Sequence, residues 1–193
     1  MSITRKRRER ERAQRHRLIL TTARELAEAE GWEAVTTRRL AERVEYSQPV
    51  LYSHFKGKDA IVAAVAEEGF AELAALLRDA RTTAKGREPR SGLRAVCRAY
   101  LRFAVEHPAL YQAMFVLPTR LKFASEETPA VLRDAFDAFV EALPEEIVER
   151  EARAELLWAA LHGISVLSAT GRIPAHGEET RLDLLIEGIA PSD

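Results

Sequence analysis

The sequence predicts an all-α protein of about nine helices, and three observations carry that expectation. Apolar residues recur at three- and four-residue steps along nearly the whole chain, which is the spacing of one helical face. No sustained run of β-branched and aromatic residues alternates as a strand would. The residues that end helices, at Gly31, Pro108, Pro144 and the Pro174–Gly177 stretch, fall between periodic segments. No internal repeat is visible.

The first helix is expected over about Arg10–Glu30, with Ile19, Ala23, Leu26 and Ala27 on one face and Gly31 as its left-handed stop. Thr36 is placed to cap a short helix over Thr37–Val44, whose Leu40, Ala41 and Val44 turn inward. Ser47 is placed to cap another over Gln48–Phe55, with Pro49 in its first turn, where a missing N–H does no harm. Lys56-Gly57-Lys58 breaks the chain, and Asp59 caps a long helix to about Ala80. Arg81–Arg90 reads as a polar loop. Helices follow over about Ser91–Glu106, from Pro108 through Met114, and over Pro129–Ala142, Glu145–Gly171 and Glu178–Ile189, with Pro118–Thr128 a loop. The expected organisation is a basic arm over 1–11, a small helical domain over 12–62 and a larger one over 63–193.

Charge sharpens this division. The formal net charge of −1 over 193 residues recommends no polyanionic partner. Yet residues 1–60 hold 14 basic and 9 acidic side chains, and the remainder holds 15 and 21. Eight Arg/Lys precede residue 18, against only Glu9 and Glu11. One part would be drawn to a polyanion and the other pushed from it. The single Cys97 excludes an internal disulfide and a Cys-based zinc site, which suits a reducing cytosol. The Arg-rich start has no apolar core of a secretory signal. The longest apolar stretch, Leu156–Ala169, is too short to span a bilayer. A soluble, cytoplasmic protein is expected.

Two short helices joined by about three residues make a helix-turn-helix, whose second helix can enter a major groove. On that helix Leu51 and Phe55 supply the apolar side, while Gln48, Pro49, Tyr52, Ser53 and His54 face away from it. Short polar and amphipathic groups suit base edges, because long charges all round would bind phosphate without reading sequence. Gln48 can pair with an adenine edge. Thr36, Tyr52, His54 and Lys58 are donors suited to phosphate oxygens, and the helix starts after Thr36 and Ser47 favour anions. A solvated polar face is the plain alternative for this set. The Arg-rich segment admits three readings: a solubilising tail, an arm on a minor groove or phosphates, or a membrane-surface helix. The last is weak, since only Met1, Ile3 and Ala13 are apolar there.

The run TTRRLAERVEYSQPVLYSHFKGKDAIV (Thr36–Val62), preceded by Ala29-Glu30-Gly31-Trp32, resembles the DNA-binding domain of the Tet repressor (TetR) family. Leu40-Ala41, Ser47, Leu51-Tyr52, His54-Phe55 and Lys58 sit at that family's spacings, and the resemblance covers about residues 12–62. It implies that Thr37 and Arg38, the polar face of the second short helix and Lys58 touch operator DNA. Glu45 stands where the family usually has Gly, and a left-handed non-Gly residue there costs about 1 kcal/mol or more. Tyr46 replaces a small aliphatic residue in the same turn.

The rest of the chain lacks catalytic grammar. There is no phosphate-cradling glycine loop, nucleophile elbow or HExxH, and the five His show no close ligand spacing. No cofactor, no metal and no catalytic residue is expected. Tyr100, Phe103, His107, Tyr111 and Phe115 recur at helical steps, and Trp158, Leu161, His162 and Ser165 share a face. Packed core is the plain reading for most of them. LRFAVEHPALYQAMF (Leu101–Phe115) with Trp158-Ala-Ala-Leu-His162-Gly163 resembles the Trp-His-Gly regulatory domain of some TetR-type proteins. This implies a largely apolar effector held among Phe103, His107, Tyr111, Phe115, Trp158, Leu161 and His162, and a homodimer through the last two long helices. Ala159, Ala160 and Gly163 would in any case admit a second helix closely. The expected function is a homodimeric repressor that binds pseudo-palindromic double-stranded DNA and is released by a small molecule. The alternatives are a small helical enzyme using His107 and His162, and a DNA-coating protein without an effector.

Overall fold

The computed structural model describes residues 3–84, 90–119, 121–123, 125–174 and 176–191. Among them are nine α-helices, one short 3-10 turn and no strand. In chain order these are α1 (Ile3–Glu30), the turn Trp32–Ala34, α2 (Thr37–Arg43), α3 (Gln48–His54) and α4 (Lys58–Ala84). There follow α5 (Ser91–Glu106), α6 (Pro108–Phe115), α7 (Ala130–Ala142), α8 (Arg150–Ala169) and α9 (Glu178–Ile189).

Three boundaries differ from the sequence expectation by more than two residues, the start of α1, the end of α4 and the start of α8; the others agree within two. α1 begins at Ile3 rather than about Arg10. Its added turns have no apolar stripe, but Arg5–Glu9 (2.9 Å), Arg7–Glu11 (3.1 Å) and Arg15–Glu11 (3.8 Å) pair one turn apart. The expected Asp59 cap is corrected: α4 starts at Lys58, so Asp59 lies within its first turn, where a carboxylate meets the positive helix end. It also continues through Ala84; the remainder of the expected loop, 85–89, lies outside the described residues. α8 starts at Arg150 instead of Glu145, because Glu149 before it is left-handed, with φ 56°.

The chain forms two compact units. One comprises the sequence through Gly69 together with His107–Leu121, and the other Phe70–Glu106 together with the chain from Lys122 onward. The first unit is built on Ile19, Ala23 and Leu26 of α1, Leu40 of α2, Leu51 of α3, and Ile61 and Val65 of α4, all buried. Gly31 stops α1 at φ 81°, ψ 163°, a region open essentially to glycine. The second unit packs Leu73 and Leu77 of α4, Val96 and Tyr100 of α5, Phe139 of α7, Leu157 and Leu161 of α8, and Ile186 of α9. Tyr100 and Phe139 meet edge to face at 5.5 Å.

Along the outside of the second unit, three arginines meet three carboxylates in antiparallel order. Arg90 pairs with Glu187 (2.5 Å), Arg94 with Asp183, and Arg98 with Glu179 (2.6 Å). Arg98 draws the Glu179 carboxyl below its ordinary range. Two further arginines close helix ends. Arg150 donates to the carbonyls of Val140 (2.8 Å) and Leu143 (3.0 Å) at the end of α7. Arg153 donates to Ile189 O (2.5 Å) at the end of α9, as cations suit the negative end of a helix. Cys97 is buried, and burial pushes its thiol up to about 12, so it is inert at neutral pH.

Candidate nucleic-acid interface

The turn between α2 and α3 is set by local bonds. The Thr36 hydroxyl accepts from Arg39 N (3.2 Å), capping α2. At the other end Tyr46 N donates to Ala41 O (2.9 Å) and Glu45 N to Glu42 O (3.3 Å). That pair of bonds is a Schellman stop, which places its left-handed residue at Glu45, φ 56°. The strain expected at that position is therefore present. Ser47 precedes α3 in extended conformation (φ −70°, ψ 151°), but its hydroxyl makes no capping bond. The expected Ser47 side-chain cap is corrected: Pro49 in the first turn removes one of the N–H groups that such a cap serves.

α3 has two unlike sides. Leu51 is buried within it, and Phe55, just past its end, is 4% exposed. Gln48, Pro49, Tyr52 and Ser53 are exposed, Tyr52 by 52%. Ser53 Oγ donates to Val50 O (2.6 Å), leaving its lone pairs outward as acceptors. The outer face is thus a short row of amide, ring and hydroxyl groups with no ionised side chain.

Three other expected contacts are tied into the protein. Lys58 is half-buried, and its ammonium donates to Trp32 O (2.5 Å), leaving two donors for a ligand. Exposed Arg38 pairs with Glu42 across one turn (2.9 Å). Thr37 is half-buried and Thr36 exposed. His54 is half-buried beside α1, 6.1 Å between ring centres from His16, which itself stacks on Phe55 at 4.4 Å. Burial, with the nearby charges of Arg12, His16 and Arg15, holds His54 below the ordinary imidazole value. A neutral ring offers one N–H donor and no charge at physiological pH. On α1 itself, Lys6, Arg8, Arg10, Arg12 and Arg17 are exposed and form no salt bridge among the described residues.

Residues that sequence reasoning passed over join α6 to this unit. The Glu28 carboxylate accepts from Ala109 N (3.0 Å) and Leu110 N (3.1 Å), capping the start of α6. The Trp32 indole donates to Ala109 O (2.7 Å). Gly69 on α4 faces α6 so closely that a Cβ there would lie 2.6 Å from Met114 Sδ and 2.8 Å from Leu110 Cδ1. A glycine inside a long helical pattern was the available signal, since it otherwise weakens a helix.

The residues expected to hold an effector divide between the units. His107, Tyr111 and Phe115 lie with α6 in the first, where Tyr111 is buried and its ring centre is 4.8 Å from that of Phe115. Phe103, Trp158, Leu161 and His162 lie in the second. Phe103 and Leu161 are packed core. Trp158 and His162 are half-buried, and Trp158 meets Phe136 edge to face at 6.5 Å. Burial lowers the His162 pKa.

An all-α chain with this pair of short helices joined by a tight turn is a helix-turn-helix protein. Residues 19–65 match the family described as bacterial regulatory proteins of the tetR family, and residues 93–189 match the tetracyclin repressor-like C-terminal domain. The chain belongs to the TetR family. It is 33% identical over 97 residues to an uncharacterized HTH-type transcriptional regulator, YobS, of Bacillus subtilis, covering 50% of this chain and 49% of that protein. It is 53% identical over 49 residues to the class C tetracycline repressor of Escherichia coli, covering 25% of this chain and 22% of the repressor. The chain therefore spans half or less of the curated relatives it matches. A solved structure of a protein of unknown function from Rhodococcus sp. RHA1 shares the fold, with TM-score 0.74 and 24% identity over 90% of this chain and 92% of that one. No described helix is long and apolar enough to cross a membrane.

Proposed function

We propose that this protein is a sequence-specific DNA-binding repressor, working as a cytoplasmic homodimer and released by a small molecule. The observation that carries the reading is α3, whose Leu51 side is buried while Gln48, Pro49, Tyr52 and Ser53 stand exposed. Gln48, at the helix start, matches an adenine edge by its paired donor and acceptor. Tyr52 and the Ser53 oxygen follow along the groove. Thr36, Thr37, Arg38, Ser47 and Lys58 flank this row and serve phosphates, which position the head without reading sequence. His54 contributes a neutral N–H. The functional division at residue 62 separates this reader from the helical remainder.

Dimerisation falls to α8 and α9. Leu156 (63% exposed), Ala159, Ala160, Gly163 and Leu167 lie on one face of α8, and Leu184 (71% exposed) and Gly188 on one face of α9. Cβ atoms added at Gly163 or Gly188 meet nothing within 4 Å. Glycines that no neighbour requires, on an apolar exposed face, suit the close approach of a second copy. The effector is largely apolar and is bound by the aromatic residues around Trp158 and His162, with α4, whose residues fall in both units, carrying the response to the head. Such coupling needs about 1–3 kcal/mol of differential affinity. The work is binding rather than catalysis.

The test is selection of bound duplexes from a random library, followed by gel shift against scrambled DNA. A reader of this kind binds the selected duplex about 10³–10⁷-fold more tightly. A coating protein would show no ratio, and turnover surviving removal of residues 1–60 would mark an enzyme. Screening small molecules for release of the selected duplex then identifies the effector.

A further inference from the structure

The first turns of α1 carry a charge pattern that the reader does not need. Sixteen helical residues, 3–18, precede the buried Ile19, and from Arg5 to Leu18 none is buried. At 1.5 Å per residue they extend the helix by about 24 Å. The face that buries Ile19, Ala23 and Leu26 continues outward as Arg5, Arg8, Arg12 and Arg15, at steps of three and four. Lys6, Arg10 and Arg17 form a second row on the same helix. His16, stacked on Phe55 at 4.4 Å, fixes this stretch beside the end of α3.

As an isolated helix the extension is electrostatically frustrated. Its first turn holds no acidic residue, so cations crowd the end that repels them. Arg8 and Arg12 lie one turn apart with like charge and without an ion pair among the described residues. A polyanion relieves both penalties. A membrane surface is the poorer match, because it needs an apolar stripe where this helix continues its core face in arginine.

We propose that the N-terminal extension of α1 is a second DNA-binding element, a basic helix that lies on duplex phosphates flanking the site read by α3. This rests on the proposed reading of α3 as the sequence reader. Arg8, Arg12 and the Lys6/Arg10/Arg17 row supply the charges. The extension adds affinity and salt dependence and no base preference.

The experiment compares the full-length protein with the triple variant Arg8→Gln/Arg10→Gln/Arg12→Gln on two selected duplexes, one trimmed to the protected core and one with about ten further base pairs on each side. On the long duplex the variant should lower the slope of log K against log salt by nearly three units per subunit. Between 50 and 200 mM salt the variant then loses about 40-fold less affinity than the parent for each subunit bound, which is on the order of 10³-fold for a dimer. On the trimmed duplex the two should bind alike. A second variant, Ala13→Pro, breaks the helix while keeping every charge, and should also lower affinity for the long duplex alone. Equal losses on both duplexes, an unchanged salt slope, or full activity of Ala13→Pro would overturn the proposal. So would binding of the parent to anionic phosphatidylserine vesicles in preference to the long duplex. If no duplex is selected over scrambled DNA, the reading of α3 has failed; if selection stands and flank length is without effect, only this inference has.

Discussion

Glu45 offers a test in which the sign of an effect, not only its size, is set by the structure. Its φ of 56° places a side-chain-bearing residue in the left-handed well, at a cost of about 1–2 kcal/mol. The Schellman bonds of Tyr46 and Glu45 to Ala41 and Glu42 hold it there. Glycine removes that cost but adds about 0.5–1 kcal/mol of unfolded-state entropy. The comparison is therefore between Glu45→Ala, which keeps the strain, and Glu45→Gly, which relieves it. The Gly variant should be more stable than the Ala variant by about 0.5–1 kcal/mol. Asparagine, which tolerates this well, should also exceed alanine. At exposed Ala75, mid-way along α4, the order must invert, with Ala75→Gly less stable by about 1 kcal/mol. Urea unfolding of the three position-45 variants, read as midpoints at unchanged slope, gives the differences. If Glu45→Gly is less stable than Glu45→Ala, the left-handed turn does not constrain this position.

Three other outcomes follow from packing and charge. Gly69→Val should destabilise the protein by about 1–3 kcal/mol, because its side chain must displace Met114 and Leu110 of α6; a melting temperature within one degree of the parent would contradict that contact. His54 has its pKa below the unfolded value of 6.5, so it favours the fold above pH 6.5 and loses that contribution as pH falls through its lowered value. Unfolding midpoints between pH 7.5 and 5 should fall more steeply for the parent than for His54→Gln, and parallel curves would refute the assignment. Gly163→Arg, placed where a Cβ meets open space within one chain, should leave helicity unchanged and convert dimer to monomer in sedimentation, whereas an unchanged dimer would move the interface elsewhere.

The helices were legible where apolar periodicity met a Gly or Pro stop, as at Gly31, Pro108 and Gly177. They were misread where neither signal acts. The extension of α1 is held by Arg–Glu steps rather than by an apolar face. The late start of α8 follows from a left-handed Glu149, which has no mark in composition. In the candidate interface, Leu51 and Phe55 could be told from Gln48 and Tyr52 by their apolar character but not by spacing, because 48, 51, 52 and 55 fall at the steps of one helical face. The bonds from Lys58 to Trp32 and from Glu28 to α6 span 26 and about 80 residues, and no local pattern announces them. The Arg90/94/98 ladder with Glu187, Asp183 and Glu179 is similar. Each half has four-residue spacing, but only the fold pairs them.

The most direct measurement of the central claim is competition binding by Gln48→Ala and its parent on the selected duplex, on single-base variants of it and on scrambled DNA. If the outer face of α3 reads bases, the variant should lose about 1–3 kcal/mol of discrimination at one base pair and keep the parent's affinity for scrambled DNA. Equal loss on all duplexes, or discrimination unchanged at every position, would show that α3 is not the reader.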